Sequence, residues 1–218
     1  YTIGASAFEN CYALMTVDLP VTLAKIEDNA FARCYTIKSI ALPESLTSVG
    51  SGAFSECIHL YKVYNNSALS VNRGDAYSNG GVAQYALSVR GKGETIPSAT
   101  SNGFTFMLSD DETPIAYLIG YTGSSDSSAV PDRLNMGGTF YTAYEIAPRA
   151  FWYPHGETTL VSANFGNALT AVRYRAFYGN GTIAEITVGK SLTVVENESF
   201  IGCSTLKSFN FAGGATVD

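Results

Sequence analysis

One internal period constrains this chain more than any other feature. Taking Phe8 as position zero, Cys11 falls at +3, Leu14 at +6, Val17 at +9 and Leu19-Pro20 at +11 and +12. Leu23, Ile26 and Ala30 follow at +15, +18 and +22, and Phe31 restarts the count at +23. The second copy reads Phe31, Cys34, Ile37, Ile40, Leu42-Pro43, Leu46, Val49 and Ala53; the third opens with Phe54, Cys57, Leu60 and Val63. Self-similarity at such a period marks a repeat architecture, because a unit this small buries its apolar face only by stacking on its copies.

The register fades and returns. Phe151, Phe177 and Phe200 are spaced by 26 and 23 residues. From Phe177 the copy gives Asn180, Ile183, Ile186, Val188, Leu192 and Val195, and from Phe200 it gives Cys203, Leu206 and Phe209. After Phe151 three extra residues fall within "WYPHGETT" (152–159), and Leu160, Ala163, Phe165, Leu169, Val172 and Ala176 then regain the register. An insertion confined to one point of a repeat marks a surface loop. Between the two arrays the sequence is turn-rich. "FTFMLSDDETPIAYLIGYTG" (104–123) reads as two strands around an acidic turn, a hairpin. "AVPDRL" and "YEIAPRAF" are similar to the Leu-Pro-x-x-Leu and "AKIEDNAF" elements of the repeat. The expected organisation is therefore N-terminal repeats over 1–64, an irregular insert with a β-hairpin over 65–149, continuous with the solenoid, and C-terminal repeats over 150–218.

Composition narrows the partners. Hydrophobic residues make up 46% of the 218, enough for a substantial core, while charged residues are only 15%. A net charge of −6 without clustered Lys and Arg argues against a nucleic-acid partner, which draws on basic patches. No apolar run approaches the roughly 18 residues of a membrane span. Both ends lie inside the repeat, which reads as a piece of a longer protein.

The spacings Leu14-x-x-Val17-x-Leu19, Ile37-x-x-Ile40-x-Leu42 and Ile183-x-x-Ile186-x-Val188 match the leucine-rich-repeat strand template. With the Ala-Phe-x-x-Cys opening and the Pro after the strand, the chain resembles the BspA-like branch of those repeats over about residues 1–64 and 146–218. It departs at Pro154 and Asn180 (for Cys), Gly189 (for Pro) and Ser199 (for Ala). The resemblance implies a mainly β leucine-rich-repeat solenoid, a right-handed superhelix with an inserted β-hairpin region. It also implies a secreted or surface-attached protein of a host-associated microbe, adhering to host proteins, other cells or polysaccharide.

Cys11, Cys34, Cys57 and Cys203 all stand at +3. A zinc site needs ligands converging on a point, whereas a solenoid ladder spreads them out. Disulfides between neighbouring coils fit the spacing, but ladder geometry rarely suits the bond's torsion. The register favours buried thiols, and Asn180 at the same place agrees. Among other candidates, His59 at +5 reads as a turn-surface residue and His155, in the insertion, as solvated. "GKS" (189–191) lacks the Gly of a phosphate loop and reads as a turn. The acidic run Asp110, Asp111, Glu112 lacks the alternating spacing of a calcium loop. The reading assigns no catalytic residue, metal or cofactor.

The densest aromatic stretch, "FYTAYEIAPRAFWYPHGE" (140–157), holds Tyr141, Tyr144, Trp152 and Tyr153, none fixed by the repeat. Trp and Tyr outside a core are enriched at recognition surfaces, so these four are the candidate ligand-binding residues; they serve equally as caps where insert meets repeat. The expected function is an extracellular binding module, a monomer that engages a surface protein or polysaccharide. The alternatives are a non-binding spacer in a larger surface protein and a glycan-active enzyme that uses the insert.

Overall fold

The computed structural model describes residues 1–152 and 158–212; Tyr153, Pro154 and His155 lie outside the described residues. The chain packs as two compact units, Tyr1–Ile96 and Pro97–Asp218. It is a mainly β solenoid, with one 3-10 turn among the described residues, at Ser78–Gly81. No described helix is long and apolar enough to cross a membrane.

In the first unit each coil offers two strand positions, and each position builds its own parallel ladder. Ser39–Leu42, Lys62–Asn65 and Ser88–Gly91 pair in register, Ile40 beside Val63 and Val63 beside Val89. Along Ser39–Leu42 exposed and buried residues alternate, so Ile40 and Leu42 enter the core together, as the two-residue period of a strand requires. Pro43 then ends the strand because it has no N–H to donate. The second ladder joins Thr2–Ile3, Lys25–Ile26 and Ser48–Val49, short strands in what the sequence shows only as a return segment. Residues 14–19 depart from the expected strand. Leu14, Val17 and Leu19 pack against the core only half-buried, so the burial that pins register is weak there. The ladder also continues beyond residue 64, with Ala83, Ala86 and Val89 standing where Cys57, Leu60 and Val63 stand one coil earlier.

The Ala-Phe corner is where consecutive coils lock. Phe8 N donates to Ala30 O at 2.7 Å, Phe31 N to Ala53 O and Phe54 N to Gly80 O, both at 2.8 Å. The place before the inner Phe residues is crowded: Ala30 and Ala53 are fully buried, and a Cβ on Gly80, in the same place one coil on, would stand 2.5 Å from Gly50 O. The Phe rings stack in files, at 5.1 Å from Phe8 to Phe31 and 5.2 Å from Phe31 to Phe54. Flanking Phe8, Phe31 and Phe54, the residues at −2 and +2 take left-handed backbone, for example Asn29 (φ 54°), Arg33 (φ 60°) and Glu56 (φ 58°).

His59 is buried rather than on a turn surface. Its position, +5, faces inward: in the preceding coil the Thr36 hydroxyl lies 2.8 Å from Tyr12 O and 3.0 Å from Leu14 O, bonding back to the coil before.

The second unit repeats the plan with additions. Ser127–Ala129, Ser162–Asn164, Glu185–Val188 and Ser208–Phe211 form one parallel ladder. Val194–Val195, Leu169–Val172, Tyr144–Ile146 and Ala116–Tyr121 form the other, which Phe104–Leu108 and Ser98–Ser101 extend in antiparallel sense. Leu134–Met136 and Thr139–Tyr141 pair antiparallel around Gly137-Gly138, both at positive φ, the geometry of a tight hairpin turn. Phe151, Phe177 and Phe200 stack at 4.7 and 5.1 Å, with Phe165 edge-on to the first two. Gly189, in the Pro place, is needed for close approach: a Cβ there would come within 2.6 Å of Gly166 O.

Candidate functional site

The thiol row is a hydrogen-bonding device. Cys34 Sγ donates to Phe8 O and Cys57 Sγ to Phe31 O, both at 3.1 Å, and Cys203 Sγ donates to Phe177 O at 3.0 Å. Asn180 Nδ2 does the same to Phe151 O at 2.9 Å. In these four coils position +3 thus aims a small donor at the Phe carbonyl one coil back, while Ala83 fills the same place without one. The exchange of Cys for Asn carried that signal, because the two share a donor rather than a shape. All four cysteines are free. Burial, with the adjacent thiol second, pushes Cys34 up to about 11 and Cys57 higher still, and burial raises Cys203. A protonated thiol is a poor nucleophile and a poor metal ligand. Two thiols differ from the buried-row expectation. Cys11 is exposed and Cys203 only half-buried, since each lies in an outer coil of its array. Among the described residues no three His, Cys, Asp or Glu are grouped to hold a metal ion.

The aromatic candidates separate into two places. Trp152 occupies +1 of its coil and meets Tyr178, at +1 of the next, edge to face at 5.2 Å. Arg175 lies 5.0 Å over the Tyr174 ring and 4.8 Å over Tyr178, while Arg149 lies 5.2 Å over Tyr174. Arg149 and Arg175 both stand at −2 in left-handed backbone (φ 63° and 56°), which turns their side chains away from the core. Arg175 Nε is held by Glu198 Oε2 at 2.6 Å, and Glu198 is the −2 residue of the following coil. The first unit carries Ser6, Asn29 and Gly52 at −2 and Glu9, Ala32 and Ser55 at +1. Only the second unit loads these outward positions with Trp, Tyr and Arg.

Tyr141 and Tyr144 line an open cavity of about 370 Å³, together with Phe140, Thr142, Glu145 and Thr170. Tyr144 is a core residue on its other side: 1% exposed, its hydroxyl donates to Phe165 O at 2.6 Å. Burial first, then the charge of Asp132, holds its phenol well above the ordinary range. Glu145 is gripped by the Arg173 fork, Nε to Oε2 at 2.6 Å and Nη2 to Oε1 at 2.7 Å. Arg173 Nη1 reaches Glu196 Oε1 at 2.6 Å, and Glu196 Oε2 accepts the Tyr174 N–H at 2.7 Å. Behind Glu145, burial and then the Glu145 charge push the Tyr117 phenol up to about 12. Arg173 and Glu145 were not singled out from the sequence; the available signal was their place beside the ladder residues Val172 and Ile146.

The sequence model of the BspA-type leucine-rich-repeat region matches residues 1–88 and 141–217, in six copies. No curated protein matches the sequence. Among solved structures, a leucine-rich cell surface protein from Faecalibacterium prausnitzii is similar at 20% identity, over 98% of this chain and 70% of that one, with a TM-score of 0.34. The pneumococcal vaccine antigen PcpA is similar at 24% identity, over 86% and 50%, with a TM-score of 0.46. A leucine-rich-repeat protein from Eubacterium ventriosum is similar at 18% identity, over 98% and 58%, with a TM-score of 0.47. The chain thus spans only half to about two-thirds of the length of these proteins.

Proposed function

Since this chain belongs to the BspA-type leucine-rich-repeat family, we propose that it is an extracellular adhesion module of a microbe, binding a surface protein or polysaccharide rather than catalysing a reaction. One observation carries the reading. In the second unit the corner positions +1 and −2 hold Trp152, Tyr178 and Arg175, packed on one another and half-buried, with Arg149 at −2 over the Tyr174 ring. Trp, Tyr and Arg are the residues that most often dominate binding energy, because they bury large surfaces at little entropic cost. Pre-packing through ring and guanidinium contacts lowers that cost further.

The test is an array of extracellular-matrix proteins, microbial surface proteins and polysaccharides probed with the folded chain. The reading expects at least one partner whose binding falls by tenfold or more in Trp152→Ala and in Tyr178→Ala, both with unchanged circular dichroism. Binding that survives both substitutions would move the surface elsewhere, and an empty array would favour a spacer.

A further inference from the structure

We infer that the open cavity beside Tyr141 and Glu145 is a binding site for an uncharged pyranose residue of a glycan. Its volume of about 370 Å³ lies at the low end of ligand pockets, which run from roughly 300 to 1,000 Å³, and so suits one or two sugar rings rather than a large ligand. Its chemistry alternates apolar and polar in the way a sugar does. Pro114, Ile115, Ala116 and the Phe140 and Tyr141 rings offer flat apolar surface to C–H faces, and Glu145, Thr142 and Thr170 offer oxygen to hydroxyls.

The charge pattern separates a neutral sugar from its rivals. Among the described residues no Lys or Arg lines the cavity, so phosphate, sulfate and acidic sugars find no cationic partner in its wall. An ammonium would need an unmatched carboxylate. Glu145 is matched already, both oxygens accepting from the Arg173 fork. The Tyr117 hydroxyl takes a third place on the Glu145 carboxylate, and of its roughly four acceptor places one is left to accept a sugar hydroxyl without demanding a counter-charge. The same fork, with Arg173 anchored again on Glu196, fixes the carboxylate before any ligand arrives. The aromatic face is available as well. Phe140 is 56% exposed, and the Tyr141 hydroxyl makes no hydrogen bond among the described residues. Arg133 stacks over the Phe140 ring at 4.3 Å and holds it in place. The strand Thr139–Tyr141 that follows the Gly137-Gly138 turn supplies Phe140 and Tyr141 to the cavity wall, beside Tyr144 and Glu145.

The experiment is a heteronuclear NMR titration of the folded chain with methyl glucoside, galactoside and mannoside and the methyl glycosides of N-acetylglucosamine and N-acetylgalactosamine. Glucuronate and methylammonium serve as charged rivals. The inference expects at least one neutral glycoside to shift resonances of residues 140–145 and 170 with millimolar affinity, and neither rival to do so. Tyr141→Ala should weaken binding about threefold to tenfold, the value of one aromatic contact. Phe140→Ala, at an exposed position where folding is not at risk, should weaken it to a similar degree. Trp152→Ala should leave it unchanged, which separates this site from the adhesive surface proposed above. Absence of any cavity shift with all five glycosides overturns the inference. So does binding that is indifferent to both ring substitutions, or stronger binding of methylammonium.

Discussion

Replacing Asn180 by Ala and by Cys separates hydrogen bonding from space-filling at +3. The carboxamide does two things. Its Nδ2 donates to Phe151 O at 2.9 Å, as the thiols do, and its Oδ1 accepts from Thr182 N at 3.0 Å and from Ile183 N at 2.8 Å. Asn180→Ala loses all three bonds. The donor bond contributes about 1 kcal/mol net. The Ile183 N–H is buried, so leaving it without a partner costs about 2 kcal/mol more, whereas the half-exposed Thr182 N–H can turn to water. The total expected loss is roughly 3 kcal/mol. Asn180→Cys should lose only about half as much, because the thiol restores the donor and the turn can adopt the Cys form. In that form the +6 N–H binds the +3 carbonyl, as Leu60 N does to Cys57 O at 2.9 Å. The assay is urea unfolding followed by fluorescence of the chain's single Trp, Trp152, which lies in the same unit and against the next coil. If the Cys variant is destabilised as much as the Ala variant, position +3 is a matter of volume and the donor argument fails.

At neutral pH a thiol-disulfide probe should label Cys11 first, Cys203 more slowly, and Cys34 and Cys57 only on unfolding; equal rates for all four would contradict the burial pattern. Cys34 rises from an ordinary 9.0 to about 11, so the stability its protonated form contributes is complete below pH 9 and is lost as pH climbs towards 11. Circular-dichroism melts across that window should show alkaline loss that Cys34→Ser reduces. Glu56→Gly should stabilise the first unit by up to about 1 kcal/mol, since left-handed backbone costs an L residue about 1–2 kcal/mol and Gly returns part of that as chain entropy; a urea midpoint that falls would refute it. Arg173→Met keeps volume but leaves Glu145 and Glu196 facing each other half-buried, for a loss of about 1–3 kcal/mol in the same urea assay.

The register was legible because Phe, Leu, Ile and Pro each have one physical job in a coil, and each job shows as a large or rigid residue at a fixed interval. Where the job is done by a small residue the signal disappears. Ala83 and Ala86 take the places of Cys57 and Leu60, so the coil they build fades from the sequence although its ladder is intact. The left-handed residues at −2 and +2 were illegible for another reason. Only some are Asn or Gly; Arg33, Glu56, Arg149, Arg175 and Glu198 hold the same backbone against their preference, which the coil-to-coil hydrogen bonds impose.

The aromatic stretch shows where sequence reasoning could have gone further and where it could not. The likeness of "YEIAPRAF" to "AKIEDNAF" places Tyr144 two residues before Ile146, and a strand's two-residue period then turns Tyr144 inward with it. That much was available from spacing alone. Trp152 has no such constraint. At +1 the coil accepts Glu9, Ala32, Ser55, Trp152, Tyr178 and Ile201 alike, from the buried Ala32 to the 52% exposed Ile201. A position that tolerates so many kinds of residue carries little information about the fold, so the register alone does not predict Trp152 and Tyr178 there. The Trp152 and Tyr178 substitutions are informative once unfolding shows each variant still folded, since a loss of binding in a folded variant belongs to the surface.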